Sequence, residues 1–504
     1  MLADRRKIKH STILVRLGIV LVGVQVGVVF FGLSLQRQHT ESSRLLATEP
    51  DRPPFISPNQ NRKPDGTFNG YPIYYHEQKS ALYSVVQCVG ENYQEEDSWM
   101  HRSCHFSFLC LDVKENEFKI FQQPTEKGTQ KYLKKRPFMD VSQTYIQPLH
   151  NTSVSLGGIN LKWGSKTQIS RLKWFPQIVT DYPTSFYTLP SDVVLTPFHS
   201  LAGGNPGHLV WDDFVSMYTL LSMFQLEDYK ALPLRYVLPG LEGLWASCDW
   251  TSEKKNECRK TMNKFWPLMT QNDKSVLTTQ DAPQLSVDNQ KSNLVCAKNG
   301  LAGIGALTDH GTKKYHGWME DDYKITQNYG RGGLFFKFRT FAMRNMGLAD
   351  LQRSTSPYHI VFSESSSQVT NRNLDFREPV RVLKQYLNTA EVDVKSYVFK
   401  DYSLKEQLEI AGKATIFVTG CGGGAVTAMF LPRGSTVIVY YNEVGGRFQN
   451  KALYTPARLD WDLFNNLGYL KVHWVPSGTL NNIEDTAALV ELVKHELDGI
   501  RKDF

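Results

Sequence analysis

The pattern of apolar and polar positions changes character four times along the chain. Leu17 to Leu35 is an almost unbroken apolar run in which Gln25 is the strongly polar member. About 18 such residues suffice to cross ~30 Å of hydrocarbon as a helix. Residues 36 to about 72 are polar and rich in Pro, Ser, Asn and Gln, too poor in large apolar groups to build a core. Residues 76–345 mix short aromatic-rich strands, Gly/Pro turns and a few helices, with a polar surface stretch predicted at 269–293. From Tyr358 the pattern becomes regular. Strands are predicted at Tyr358–Ser363, Val392–Phe399, Ala414–Thr419, Thr436–Tyr441 and Tyr469–Val475. Helices are predicted between them at 377–388, 404–413, 424–431 and 457–467, with a last amphipathic one at 483–498. Ser403 with Glu406 forms a capping box at the second helix. Such alternation predicts a parallel, doubly wound sheet that binds ligands at the carboxyl ends of its strands.

Charge orients the apolar run. Arg5, Arg6, Lys7, Lys9 and Arg16 precede it, whereas the 36–46 flank carries only Arg37 and Arg44. The asymmetry predicts a signal anchor with a cytosolic N-terminus. A cleaved signal peptide would have a shorter core and a better cleavage site than Gly32-Leu33-Ser34-Leu35. The expectation is a single-pass type II protein of the Golgi or endoplasmic reticulum membrane. Its parts are a cytosolic tail (1–16), an anchor (17–35), a disordered stem (36–75), an acceptor-side domain (76–345) and a nucleotide-sugar-binding domain (346–504). The net charge of +7 includes the basic tail, and no long Lys/Arg run follows, which argues against a nucleic-acid partner.

Seven cysteines are present. Cys88, Cys104, Cys110, Cys248, Cys258 and Cys296 can pair in an oxidising lumen, with connectivity open, while Cys421 stands alone. No CxxC pair offers a zinc site. Asn151-Thr152-Ser153 is an N-glycosylation acceptor.

Four segments carry candidate chemistry. In Ile416 to Pro432 a buried strand runs into Gly420-Cys421-Gly422-Gly423-Gly424 and then a helix, a setting that lets backbone amides approach a diphosphate. It is no P-loop, since no Lys-Ser/Thr follows the last glycine. In Asn205-Pro206-Gly207-His208-Leu209-Val210-Trp211-Asp212-Asp213, His208 and Asp212 share a helix face. A carboxylate or imidazole there can take a proton from a hydroxyl. Phe362-Ser363 leads through a hydroxyl-rich loop to Arg372, whose planar fork suits phosphate. Gly330-Arg331-Gly332-Gly333 leads into an aromatic run containing Arg339, a further candidate for phosphate.

In this order the segments resemble glycosyltransferase family 61, over roughly residues 200–445. The resemblance rests on His208-x-x-x-Asp212, on Phe362-Ser363 with Arg372, and on the Gly-rich turn ending at Phe430-Leu431-Pro432. It implies an α/β, GT-B-like fold of two Rossmann-like domains facing a cleft. It also implies inverting transfer from a nucleotide sugar, UDP-linked, to a glycan or glycoprotein, with no metal required. Asp212 would be the base, with His208 orienting it or the acceptor and Asp213 alongside. Arg372, Ser363, Cys421, Gly422, Gly423, Gly424 and Arg339 would lie on the donor side. The chain departs from the family in having Cys421 where a His opens the turn, and Val439-Tyr440-Tyr441 where a Glu sits near the ribose. Tyr440 or Tyr441 is then a candidate for the base, and Asn442 or Glu443 for the ribose. Two other readings stay open: a non-catalytic lectin or scaffold, and a metal-dependent transferase using Glu320-Asp321-Asp322.

Overall fold

The computed structural model describes residues 62–80, 82–89, 102–122, 153–163, 166–200, 203–236, 252–271, 277–279, 285–303, 332–349, 351, 353–364, 374–441, 464, 466–476 and 483–502. Ser57–Phe504 forms one compact unit.

In its C-terminal part, alternate residues of each strand sort into two separate cores. Ile360, Phe362, Ile416, Val418, Ile438 and Tyr440 face one side. Val361, Phe417, Val437 and Val439 face the other. Both faces are apolar because helices cover both. Helices Arg377–Tyr386 and Ile483–Lys502 pack on the first through Val380, Leu383, Leu489, Val493 and Leu497. Helix Leu404–Lys413 and the 3-10 helix Gly423–Phe430 pack on the second through Leu408, Ala411, Ala428 and Met429. Full burial of each such aliphatic or aromatic side chain contributes roughly 1.5–3 kcal/mol. The strands Tyr358–Ser363, Val392–Tyr397, Ala414–Gly420, Thr436–Tyr441 and Lys471–Pro476 are all parallel, in spatial order second, first, third, fourth, fifth. The chain therefore reverses its winding direction between Tyr358–Ser363 and Ala414–Gly420. Ser403 caps Leu404–Lys413 with the expected reciprocal bonds to Glu406.

The upstream part overturns the expected pair of Rossmann-like domains. It is a 12-stranded mixed sheet, beside which Val154–Trp163 and Lys166–Trp174 form a separate hairpin. A parallel group does lie inside it: Leu277–Thr278, Lys230–Arg235, Val193–Phe198 and Leu294–Gly303, side by side in that order. That group does not close into a domain of its own. Leu294–Gly303 also pairs antiparallel with Ser103–Asp112 along its length, and Ser103–Asp112 pairs antiparallel with Val85–Val89 and Glu117–Phe121. These directly opposed strands put Cys88 against Cys104 and Cys110 against Cys296, and both pairs are disulfides. Cys258 is disulfide-bonded as well, and Cys421 is a free thiol. The folded body begins ahead of residue 76, because Gly66–Phe68 and Tyr71–Glu77 are strands of this sheet. The polar 269–293 stretch contributes the short strands Leu277–Thr278 and Ser286–Val287.

The membrane placement is corrected too. Among the described residues no helix is long and apolar enough to cross a membrane, and the Leu17–Leu35 run lies outside them. The expected type II attachment in the Golgi or endoplasmic reticulum membrane is not retained. What the fold does carry is disulfide chemistry, which belongs to oxidising compartments.

Candidate functional site

The helix carrying His208 is a crossover. It leaves the carboxyl end of Val193–Phe198 and returns the chain to the parallel neighbour Lys230–Arg235. Its first turn therefore falls where parallel sheets bind ligands. Asn205 starts it, with extended backbone, a carbonyl that accepts from Leu209 N–H at 2.9 Å, and a side-chain Oδ1 that accepts from Gly207 N–H at 3.0 Å. Pro206 follows, needing no donor at that position. After His208 the helix widens into a π-type stretch, Leu209–Phe214, before resuming as Val215–Met223. Such widened turns occur mostly as local insertions and often at functional sites. This one displays two consecutive carboxyls, Asp212 and Asp213, both buried.

His208 Nδ1 lies 2.8 Å from Asp212 Oδ2. The two differ in access: the His208 side chain is 13% exposed and that of Asp212 only 2%. The imidazole is thus the member that faces outward, and the carboxylate orients it from behind. Asp213 accepts a hydrogen bond from Ser200 Oγ at 2.5 Å. Burial pushes the Asp213 carboxyl well above the usual carboxylate range, and the Asp212 charge adds to this, against the lowering effects of Ser200, His208 and Arg235. Arg235 is itself buried, at the carboxyl end of Lys230–Arg235.

The Gly-rich turn meets this helix start from the other sheet. Cys421 N–H donates to Tyr440 carbonyl at 2.8 Å, so the ladder continues one residue past Gly420. Gly422 then takes φ 135°, a conformation side chains disfavour. A Cβ on Gly423 would stand 2.4 Å from Asn205 Oδ1, and one on Gly207 would stand 3.0 Å from Gly423 Cα. Backbone approaches backbone between residues 216 positions apart (423 − 207), and glycine at both positions leaves that approach uncrowded. Gly424 is exposed, with nothing within 4 Å of where a Cβ would be. The turn continues as a 3-10 helix, Gly423–Phe430, where a helix was expected at 424–431.

Ser363 closes Tyr358–Ser363, in register with Thr419 on the adjacent strand, so it flanks the same winding reversal as the turn. Cys421 is half-buried and packs against the large core. Arg339 lies elsewhere. It is buried, and its Nε donates to Phe430 carbonyl at 3.0 Å, at the far end of the 3-10 helix. At ~2 Å rise per residue that is about 14 Å along the axis from Gly423. Its helix, Gly332–Asn345, joins the two motif helices: Phe335 stacks on Trp211 at 5.1 Å, and Phe338 meets Phe430 at 6.4 Å. Tyr440 is buried against Phe376 at 5.8 Å, a core position. Tyr441 packs edge-on to Trp474. Arg372, Asn151, Asn442, Glu443 and Glu320-Asp321-Asp322 lie outside the described residues. Among the described residues no group of three or more His, Cys, Asp or Glu is placed to hold a metal ion.

Sequence reasoning passed over two residues. Asn205 had a signal, a capping residue directly before proline. Ser200 had none, because its tie to Asp213 depends on how the loop after Val193–Phe198 folds back.

No protein-family model matches the chain, and no curated protein matches it. A search of solved structures finds the bacterial iron-containing dodecameric glycosyltransferase TibC from enterotoxigenic E. coli H10407, at 11% identity and a TM-score of 0.21, covering 81% of this chain and 84% of that one. A likeness of that size carries no argument about fold or activity.

Proposed function

We propose that the protein transfers a sugar from a nucleotide-sugar donor, UDP-linked, to a hydroxyl of a glycan or glycoprotein acceptor, with inversion. One observation supports this most: the His208–Asp212 pair and the Gly422–Gly424 turn, distant in sequence, adjoin through Gly207 and Gly423. That adjacency supports reading the pair as a proton acceptor and the turn as a backbone cradle for phosphate. In a direct displacement the acceptor hydroxyl loses its proton while the leaving diphosphate gains charge. His208, the more exposed member, meets the hydroxyl, and Asp212 stabilises the imidazolium that forms. Amides of the turn stabilise the departing diphosphate, with Ser363 at its flank and Arg372 as a further cation. No metal is needed in this scheme.

The test is transfer and hydrolysis of a panel of nucleotide sugars by wild type, His208→Ala and Asp212→Asn. Removing a general base costs ~10²–10⁴-fold. Losses of that size in kcat, with nucleotide binding retained, are expected. Turnover unchanged in both variants, or wild type that neither binds nor turns over any donor, defeats the reading. The latter result favours a carbohydrate-binding protein that lacks catalysis, which the deep burial of Asp212 would suit.

A further inference from the structure

The two tyrosines expected to meet a nucleobase are otherwise engaged, Tyr440 in the core and Tyr441 against Trp474. The parallel sheet offers a third. Val361 and Phe417 face the large core, so by strand alternation Ser363 and Thr419, two residues on, face the same side. Tyr397 also packs against that core, and it is in register with Ser363, which is in register with Thr419. The three residues form a row across the carboxyl ends of three adjacent strands, on the face that also carries Gly423–Phe430. Ser363 is only 7% exposed, yet its hydroxyl has no hydrogen-bond partner among the described residues. Tyr397 is half-buried, and its hydroxyl is likewise without one. Its ring meets Tyr402 edge-on at 5.7 Å and Phe399 at 6.0 Å, and Phe399 is anchored on Phe417. Lys264 Nζ donates to the Tyr402 carbonyl at 3.1 Å. Lys264 lies in the last turn of the helix Ser252–Phe265, in which Cys258 packs at Gly203, just ahead of Asn205. The aromatic cluster and the entry to the His208 turn thus adjoin one helix, six residues apart along it (264 − 258), which is ~9 Å.

The order and spacing of the row fit one kind of ligand. Neighbouring strands lie ~4.8 Å apart, so Tyr397 stands ~10 Å from Thr419, which leads directly into Gly420 and the Gly-rich turn. A nucleoside diphosphate carries a planar base at one end, ribose hydroxyls in the middle and a diphosphate at the other end, over a comparable reach. We infer that a nucleoside diphosphate lies along this row, with its base against the Tyr397 ring, its ribose at Ser363 and its diphosphate on the Gly-rich turn. This rests on the proposed donor site and gives it a base subsite. An aromatic face stacks with any base, so Tyr397 supplies affinity for the nucleoside without choosing among bases.

The experiment measures binding of UDP and of inorganic pyrophosphate by calorimetry to wild type, Tyr397→Ala and Tyr397→Leu, with melting temperature as the control for folding. Tyr397→Leu keeps apolar bulk against Phe399 and Tyr402, so it reads the loss of the aromatic face even where alanine loosens the cluster. Both variants should bind UDP ~5–150-fold more weakly, the leucine variant at the lower end, while pyrophosphate binds within about twofold of wild type. Equal UDP affinity in wild type and both variants overturns the inference and leaves the donor site standing. An equal loss of UDP and pyrophosphate in both variants also overturns it, because Tyr397 would then act through the fold. Binding of neither probe to wild type overturns both the inference and the donor site.

Discussion

The two sheets of this protein reach stability by different routes. The five parallel strands near the C-terminus lie close together in sequence, the central three are buried on both faces, and none of their described residues is cross-linked. The upstream sheet pairs strands from opposite ends of its sequence, such as Ser103–Asp112 with Leu294–Gly303, and secures them covalently. The contrast teaches that local pairing needs only apolar burial, whereas distant pairing gains from a constraint on the unfolded chain.

The sharpest way to break that contrast is to empty the downstream core. Phe417 is fully buried and packs on Phe399 at 5.8 Å. Phe417→Ala should cost ~3–5 kcal/mol, read as a fall in the denaturant midpoint. A loss below half of that would mean the parallel sheet depends on something other than its two apolar faces. Next in size is the upstream link. Replacing Cys110 and Cys296 together with Ser should cost ~2–4 kcal/mol. Hydrogen exchange should then lose protection in Ser103–Asp112 ahead of Ala414–Gly420. Simultaneous loss in both would show that the sheets unfold as one.

A smaller effect sharpens how the downstream sheet holds its last helix. Glu496, buried in Ile483–Lys502, takes hydrogen bonds from Thr436 Oγ1 at 2.9 Å and Lys471 Nζ at 2.7 Å, with His473 Nε2 at 3.0 Å. Burial alone would raise its carboxyl, but Lys471, Thr436 and His473 outweigh burial and hold it below the ordinary glutamate value. A depressed carboxylate stabilises the fold above the unfolded-state value, and that contribution disappears as pH falls through the folded one. Glu496→Gln should lower stability by ~1–3 kcal/mol at neutral pH. It should also flatten the acid side of a curve of urea midpoint against pH. A variant as acid-sensitive as wild type would assign that sensitivity to other groups.

The same contrast governs what could be read from the sequence. Ile416-Phe417-Val418 and Val437-Ile438-Val439 announce doubly buried strands because their signal is local, and Ser403 with Glu406 announces a helix start for the same reason. Nothing in Ser103–Asp112 says that its partner lies some 190 residues on, so the mixed sheet was not legible and two Rossmann-like domains were expected in its place. The site divides likewise. His208 and Asp212 four apart predicted a shared helix face, on which the two are hydrogen-bonded, although the widened turn after His208 left no mark in the residue pattern. Arg339 looked like a phosphate ligand by type alone, but it is buried and its Nε donates to the Phe430 carbonyl, away from the turn. The meeting of Gly207 with Gly423 required the tertiary fold.

One strand, Ser103–Asp112, carries a half of each of two disulfides, through Cys104 and Cys110. On a ribosome, the partner of Cys104 has already emerged, whereas Cys110 must wait for a residue 186 positions later. At ~5–20 residues per second that is a delay of about 10–40 s. During that interval Cys88, Cys104 and Cys110 would meet any oxidant together without the strand that holds the partner of Cys110. Synthesis into an oxidising compartment would thus open a window for mispairing, and yield there should respond to the supply of a disulfide isomerase.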